Sequence, residues 1–307
     1  MHCFNVLVIP APANSHMNKV LEQGGRNDME NVPVEDWKPN ESYEDQFQKY
    51  RLPATDELVG KELKFYFDTD NRVLKYVFNS IDSLKWEILD GPDKGKSGEE
   101  KYLATSIAPN IYFLDYIRQD MPNVDVAMAL DLESWRATVL ISTAPAKGTE
   151  FNALMKKLDQ GFELGMMDTE YWHANINPPS SDKPVIRHER TTDLVGKRIK
   201  YAYSSAIEYE HIYLTDRLYT WHCVKGTSLG RADTDSCDYF KIAPDIYFFV
   251  WREKLVSING AVLINFKEMR STGIQFLGEG LGSEAPFSIK MGAYAKFLNR
   301  TEYWEDS

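Results

Sequence analysis

The sequence predicts an all-β protein that consists of two tandem antiparallel barrels, with one helix near the junction between them. Three observations support this prediction: an internal repeat, short strand patterns at about ten-residue spacing, and turn residues between those patterns. Strands joined by tight turns form an up-and-down meander, and closure into a barrel removes the unpaired edges of such a sheet.

The internal repeat runs through most of the chain. Leu58–Phe67 recurs as Leu194–Tyr203, and Ile107–Phe113 recurs as Ile242–Phe248, at offsets of 136 and 135 residues. A slowly drifting offset is what a duplication followed by small loop changes leaves. The repeat predicts four parts: an extended N-terminal segment (1–50), a first barrel (51–178), a linker (179–190) and a second barrel (191–307).

The second repeat carries the clearest strand patterns. Ile199, Tyr201 and Tyr203 alternate with Arg198, Lys200 and Ala202, which is the period of a strand with one face in solvent. Further aromatic and β-branched runs predict strands over Tyr209–Leu214, Leu218–Val224, Ile246–Glu253 and Ala261–Phe266. One helix is predicted over 149–164, where apolar residues at helical spacing form a single stripe: Phe151, Leu154, Met155 and Leu158.

Net charge and cysteine content limit the partners and the cellular compartment that we expect for this protein. The chain has 307 residues, with 35 Lys and Arg against 46 Asp and Glu, so its formal net charge is −11. An acidic protein lacks the concentrated positive surface that binds nucleic acid or anionic membranes, so we expect neither as a partner. Three cysteines without a disulfide spacing predict a reducing compartment, the cytoplasm. The apolar stretch Phe4–Ile9 is short for a signal peptide and has no basic flank.

Several motifs of the second repeat belong together: Tyr209–Leu214, Tyr219–Cys223, Ala232–Asp235, Lys241–Ala243 and Phe249–Lys254. With these motifs the chain resembles the molybdenum-cofactor biosynthesis protein F (MoaF) family over roughly residues 50 to 304. The resemblance implies two lipocalin-like, that is calycin-like, barrels. The family's name reflects genetic association more than a reaction, so the resemblance implies little about activity. Related barrels suggest a homodimer as the assembly.

A second set of residues carries a fainter resemblance. Tyr201 and Tyr203 form a Tyr-x-Tyr on one predicted strand, Gly230-Arg231 follows a later strand, and Trp251 and Glu253 form a Trp-x-Glu. Tyr209-Glu210 on the second strand completes the pattern. In these respects the second barrel resembles phenolic acid decarboxylases, cofactor-free lyases that remove CO2 from hydroxycinnamic acids. The resemblance implies a catalytic set at Tyr201, Tyr203, Arg231 and Glu253.

The residue chemistry is consistent with that set. Tyr201 and Tyr203 share a strand face, and parity places Glu253 on the same face as the aromatic residues before it, so a carboxyl group would enter an aromatic cavity. Desolvation raises the pKa of such a carboxyl and makes it a proton donor near neutral pH, while Arg231 could bind a carboxylate. Five further aromatic residues are predicted to bind the ligand: Tyr209, Tyr219, Trp221, Tyr247 and Trp251. The first repeat has Phe65, Phe67 and Arg118 instead, so we assign function to the second barrel.

Each of these residues also has a purely structural interpretation. The tyrosines could be core residues, Glu253 could be an exposed carboxylate at a strand end, and Arg231 could pair with Asp233 or Asp235. His211 is predicted to be structural, because its neighbour Glu210 faces the other side of the strand.

A metal site is a weaker hypothesis. His222, Cys223, Asp233, Asp235 and Cys237 include enough ligand types, but strand alternation directs His222 and Cys223 to opposite faces. We predict neither a metal nor a cofactor.

Two main functions remain open from the sequence. The first is a cofactor-independent lyase or isomerase that acts on a small aromatic or conjugated carbonyl or carboxylic compound, with Glu253 as acid or base. The second is a non-catalytic, lipocalin-like carrier or sensor of a small molecule, in which the same residues only hydrogen-bond the ligand. A structural interaction module is a third hypothesis, which filled barrel interiors would favour.

Overall fold

The protein folds as two antiparallel β-barrels in tandem, which confirms the predicted fold class. The computed structural model describes residues 43–161, 163–178, 184–279, 281 and 283–302. Most of the predicted N-terminal segment and linker residues 179–183 lie outside the described residues. Within the described residues, no helix has the length and apolar character needed to cross a membrane.

The first barrel is a meander in which each strand pairs with the next one along the chain, with one break between the fourth and fifth strands. The first and last strands, β1 and β9, also pair with each other. The strands are β1 (Glu62–Phe67), β2 (Val73–Phe78), β3 (Ser83–Asp90), β4 (Ser97–Lys101), β5 (Leu103–Ala108), β6 (Ile111–Ile117), β7 (Val124–Asp131), β8 (Arg136–Thr143) and β9 (Asp168–Ile176). Strands β4 and β5 are separated only by Tyr102 and form two halves of one interrupted strand.

The second barrel repeats this order. Its strands are β10 (Glu189–Arg190), β11 (Lys197–Ala202), β12 (Glu208–Tyr213), β13 (Leu218–Lys225), β14 (Ala232–Ala243), β15 (Ile246–Arg252), β16 (Ile258–Asn265), β17 (Arg270–Leu277) and β18 (Phe287–Arg300). Strand β11 pairs with β18, and the long strand β14 pairs with both β13 and β15. The two-residue strand β10 is an addition to this order and pairs with β14. Strand β14 therefore occupies the place of β4 and β5 together, as expected after a duplication.

The inner faces of both barrels are rich in aromatic residues. Phe65 and Phe67 on β1 are buried, and so are Tyr201 on β11 and Tyr203 just after it. These are the inward positions that the alternating pattern of the sequence predicts. The two interiors are separate apolar clusters.

A third apolar cluster lies between the barrels, and the sequence analysis does not predict it. The outward side chains of β6 and β7 pack against those of β15, β16 and β17. Phe113 and Phe248 occupy equivalent positions in the two repeats, and their ring centroids are 6.4 Å apart. Strands β7 and β15 are buried along their whole length because one face lines a barrel and the other contacts the neighbouring barrel.

The two helices differ in part from the predicted pattern. The predicted helix exists as α2 (Glu150–Asp159), shorter than expected because Gly161 adopts a positive φ that ends the helix. Three residues of its apolar stripe, Phe151, Met155 and Leu158, are exposed. A short helix, α1 (Tyr43–Gln48), lies in the segment that the sequence predicts to be extended.

Candidate functional site

A cavity of about 170 Å³ opens into the second barrel. It lies among the inward side chains of β12, β13 and β15, where residues two positions apart share a face. Phe47 of α1 also lines it, with its ring centroid 4.8 Å from that of Tyr203, so a segment distant in sequence contributes to the cavity. Seven of the residues predicted for the site line this cavity: Tyr203, Tyr209, Tyr219, Trp221, Arg231, Trp251 and Glu253.

The carboxyl group of Glu253 has a strongly shifted acidity. Burial raises its pKa to about 8, and the negative charges of Asp235 and Asp233 act in the same direction. A hydrogen bond with the Trp251 side chain lowers the pKa but does not compensate. Glu253 is therefore not the exposed strand-end carboxylate of the structural interpretation.

Asp235, the nearby acid, is held in place by two donors. The Trp221 indole Nε1 donates to its Oδ2 at 2.9 Å, and the Lys254 backbone N donates to its Oδ1 at 3.2 Å. Asp235 is buried, and burial raises its own pKa. Because Lys254 follows Glu253 directly, this bond fixes the backbone beside the candidate acid.

Trp251 depends on a glycine in the neighbouring strand. Gly260 pairs with Trp251 in the β15–β16 ladder, and a Cβ atom at Gly260 would lie 2.0 Å from a ring carbon of Trp251. Only a residue without a side chain lets the indole lie against the backbone of β16. The position of the ring, and with it one wall of the cavity, therefore requires glycine at 260.

Two predicted site residues do not line the cavity. Tyr201 is buried in the core, where its hydroxyl is 2.8 Å from that of Tyr213. The Tyr247 hydroxyl donates to Asp193 Oδ2 at 3.0 Å. Both face the barrel interior as predicted, but at levels of the barrel away from the cavity.

Arg231 is an exposed residue at the cavity. The ion pairs that the alternative interpretation proposes for it are made by another residue. Lys254 Nζ lies 3.1 Å from Asp233 Oδ1 and 4.0 Å from Asp235 Oδ1. In the part of the chain that the structure describes, no ion pair of Arg231 is found.

Several residues of the cavity are not predicted from the sequence. Phe47, Ser228, Ile258 and Gln275 line it, and so does His211, which was predicted to be structural. Burial lowers the pKa of His211 to about 3, so its imidazole is neutral. Its Nδ1 and the Gln275 Oε1 are buried without a hydrogen-bond partner among the described residues. Strand parity could have identified His211, since it lies two residues after Tyr209; nothing in the local sequence marks Phe47.

The residues of the metal hypothesis are dispersed. His222 Nδ1 lies 3.5 Å from Glu210 Oε2, whereas Cys223 is fully buried. The two neighbours thus face opposite sides of β13, as alternation predicts. Cys223 and Cys237 are both free thiols. The described residues include no cluster of three or more histidine, cysteine or acidic side chains placed to hold a metal ion.

Fold and cavity together define the class: a duplicated antiparallel β-barrel protein with an aromatic cavity in its second barrel. Comparison with known proteins identifies the family. Residues 35–146 match the MoaF N-terminal domain and residues 188–301 match the MoaF C-terminal domain. Protein MoaF of Klebsiella aerogenes is 32% identical over 256 residues, which cover 83% of this chain and 92% of that protein. The chain belongs to the MoaF family.

One of the solved structures that match this chain corresponds to less than half of it. It is described as a "putative beta-lactamase" from Burkholderia vietnamiensis, and the match has 14% identity and a TM-score of 0.29, covering 44% of this chain and 99% of that chain. A similarity this low carries no argument about this protein.

Proposed function

We propose that the second barrel is the active site of a cofactor-independent lyase or isomerase for a small aromatic or conjugated carbonyl or carboxylic compound. One observation carries the proposal: a carboxyl group whose pKa is raised to about 8 lines a cavity that is otherwise mostly aromatic. Such a group is largely protonated at neutral pH and can donate a proton to carbon, which an ordinary surface glutamate cannot do.

The residues around Glu253 supply the remaining functions. Tyr203 and Tyr209 carry hydroxyls that can orient the polar end of a substrate, and Trp221 and Trp251 provide flat surfaces for its conjugated part. Arg231 has no ion-pair partner in the described part of the chain, so its guanidinium can bind a substrate carboxylate through two hydrogen bonds.

The proposed chemistry balances without a cofactor. In the lyase reaction, Glu253 donates its proton to the carbon next to the substrate carboxylate. The carbon–carboxylate bond then breaks, its electron pair stays on the carbon skeleton, and CO2 leaves. Glu253 regains a proton from solvent. In the isomerase reaction, the ionised Glu253 takes a proton from one carbon and returns it to another.

Tyr201 has a positioning role in this proposal. Its hydroxyl pairs with that of Tyr213 outside the cavity, so it can act only by fixing the strand that leads to Tyr203. Tyr247 has no place in the reaction, because its hydroxyl is engaged by Asp193. We also propose the cytoplasm as the compartment of the reaction, on the odd number and spacing of the three cysteines.

A carrier or sensor is the second candidate function. The neutral imidazole of His211 and the amide of Gln275 line the cavity and favour it, because such groups hydrogen-bond a ligand without acid–base chemistry. In that case Glu253 would only bind the ligand.

The test is a ligand screen that separates binding from conversion. Wild type, Glu253→Gln and Glu208→Gln are screened by thermal shift with hydroxycinnamic acids and conjugated ketones and acids. Each ligand that raises Tm is then incubated with the protein and analysed by mass spectrometry. Glu208 is the matched control because its carboxylate pairs with Lys200, away from the cavity.

Conversion by wild type and Glu208→Gln, with binding but no conversion by Glu253→Gln, would support the enzyme. Binding without conversion by all three proteins would favour the carrier. Absence of any binding would contradict both functions, since each requires the cavity to hold a ligand.

A further inference from the structure

The first barrel contains a cavity of its own, to which the sequence analysis assigns no function. Its volume is about 270 Å³, against about 170 Å³ for the cavity of the second barrel. Aromatic and aliphatic side chains form most of its wall, among them Phe67, Tyr76, Trp86, Tyr116, Val126 and Trp172. An apolar, ring-lined space of this size can hold one small molecule with an apolar body.

Two arginines line the same cavity and are held by aromatic rings. The Arg72 guanidinium lies over the Trp172 ring at 5.1 Å, and the Arg118 guanidinium lies over the Trp86 ring at 5.9 Å. Stacking of this kind fixes the plane of a guanidinium and removes part of the entropy that it would otherwise lose on binding an anion.

Each arginine is also oriented by a carboxylate that uses only part of its donors. Arg118 donates from Nε and Nη2 to Asp120 at 2.9 and 2.6 Å. Arg72 Nη2 lies 2.9 Å from Asp70 Oδ2, while its Nε is buried and has no acceptor among the described residues. Each guanidinium therefore keeps N–H donors that its own carboxylate does not use.

Two acids that line the cavity have lowered pKa values. Asp93 has its pKa lowered by a hydrogen bond from Lys96 and by the charges of Lys96, Arg72 and Arg118. The pKa of Asp120 is likewise lowered, mainly by Arg118. Adjacent cations therefore keep these two acids ionised, whereas acidic neighbours destabilise the ionised form of Glu253 in the other barrel.

We propose that the first barrel is a second ligand site, which binds a small molecule with a ring-sized apolar body and one carboxylate. The body lies between Trp86 and Trp172, and the carboxylate accepts hydrogen bonds from Arg72 and Arg118. This site does not depend on the reaction proposed for the second barrel. It is a binding site rather than a reaction site, because the acids that line it, Asp93 and Asp120, are both paired with cations.

The test compares three probes with the same apolar body: phenylbutyrate, phenylbutanol and phenylbutylamine. Each is titrated calorimetrically into full-length wild type, Arg118→Gln and Arg198→Gln. Arg198 is the matched control, because it pairs with Glu210 and does not line either cavity. We expect phenylbutyrate to bind at least about tenfold more tightly than phenylbutanol, and phenylbutylamine to bind more weakly than both.

Arg118→Gln should weaken phenylbutyrate binding by about tenfold and leave phenylbutanol binding unchanged, whereas Arg198→Gln should change neither. A second variant, Val126→Phe, fills the cavity and should abolish binding of both probes. If it does not fold, the Arg118→Gln result decides alone.

Three results would overturn the proposal. The first is equal affinity of wild type for phenylbutyrate and phenylbutanol. The second is phenylbutyrate binding that persists unchanged in Arg118→Gln. The third is no detectable binding of phenylbutyrate at millimolar concentration. Phenylbutyrate has no conjugated carbonyl group, and the second barrel is tested separately through Glu253→Gln, so failure here is distinguishable from failure of the function proposed for that barrel.

Discussion

Each barrel contains a tryptophan whose indole N–H donates to a buried carboxylate, a pair that we call the anchor. The two barrels share the anchor but differ in the cavity residue beside it. In the first barrel Trp86 Nε1 donates to Glu100 Oε1 at 3.1 Å, and in the second Trp221 Nε1 donates to Asp235 Oδ2 at 2.9 Å. Both carboxylates are buried. The pair has thus been retained in both repeats, with the acid shortened by one methylene group in the second.

The second donor to each carboxylate is also shared. Gln119 N donates to Glu100, and Lys254 N donates to Asp235. The residue directly before each of these amides lines the cavity of its barrel: Arg118 in the first and Glu253 in the second. The duplication thus kept the backbone geometry and changed the group presented to a ligand from a guanidinium to a carboxyl group. One barrel is suited to an anion, and the other presents a carboxylic acid.

The largest expected effect concerns the acid of the second barrel. With Glu253 as proton donor, kcat/KM should be constant below about pH 8 and fall tenfold per pH unit above it, because only the protonated form reacts. Glu253→Gln should lower conversion by about 10²- to 10⁴-fold. The measurement is a pH–rate profile of any converted compound, supported by carbon NMR of the Glu253 carboxyl, which needs no turnover.

The cause of the shifted pKa can be tested separately. Asp235→Asn removes a neighbouring negative charge and should move the titration of Glu253 to lower pH. Asp120→Asn, in the first barrel, should leave that titration in place. If the Glu253 midpoint stays near 8 in Asp235→Asn, the charge of Asp235 does not contribute to the raised pKa and the charge contrast between the barrels loses its significance.

The next effect concerns the surface between the barrels. Asp125 on β7 is completely buried, and burial and the charge of Asp115 raise its pKa to about 8, with Lys290 and a hydrogen bond from Ser288 Oγ acting in the opposite direction. The equivalent residue of the second repeat, Asn259, cannot ionise; it donates to Ser142.

The sign of the pH dependence follows from that raised pKa. Between about pH 4 and 8 the folded protein retains a proton on Asp125 that the unfolded chain has lost, so stability falls as pH rises through this window, by at most about 1.4 kcal/mol per pH unit, and levels off above it. Asp125→Asn should flatten this part of the profile. The measurement is urea unfolding from pH 6 to 9, and a variant with the wild-type slope would contradict the assignment.

A smaller effect is expected at the position where the first repeat has a valine and the second has a glycine. Val126 lines the cavity of the first barrel, and Gly260 at the same place in the second makes room for Trp251. Gly260→Val should displace the indole and lower the free energy of unfolding by about 1–3 kcal/mol. Urea unfolding monitored by tryptophan fluorescence measures this. Val126→Ala, a loss of volume at the matched site, should not shift the Glu253 titration, whereas Gly260→Val should.

Much of the fold could be predicted because alternation is a local signal. Ile199, Tyr201 and Tyr203 are all buried, as their period of two indicates. Alternation gives the face of a strand but not the level along the barrel. Tyr203 therefore reaches the cavity while Tyr201, on the same face, pairs with Tyr213.

Contacts between distant parts of the chain could not be derived in this way. Phe47 closes the cavity from a helix that precedes both repeats, and its local sequence does not indicate a partner. The packing of β7 against the second barrel likewise could not be derived from local sequence. The continuous apolar run of β7 indicates burial on both faces, but many outer surfaces could have covered it.

The smallest effect tests the shared anchor itself. Trp86→Phe and Trp221→Phe each remove one hydrogen bond from a buried carboxylate that keeps its backbone donor, so each should lower the free energy of unfolding by about 1–2 kcal/mol. The Trp221 bond also lowers the pKa of Asp235. Its loss favours protonated Asp235, which weakens the negative field at Glu253 and moves the Glu253 titration to lower pH. Trp86→Phe should show the loss of stability alone. A shift of the Glu253 titration in Trp86→Phe, or equal titrations in both variants, would mean that the anchor does not control charge in the second barrel.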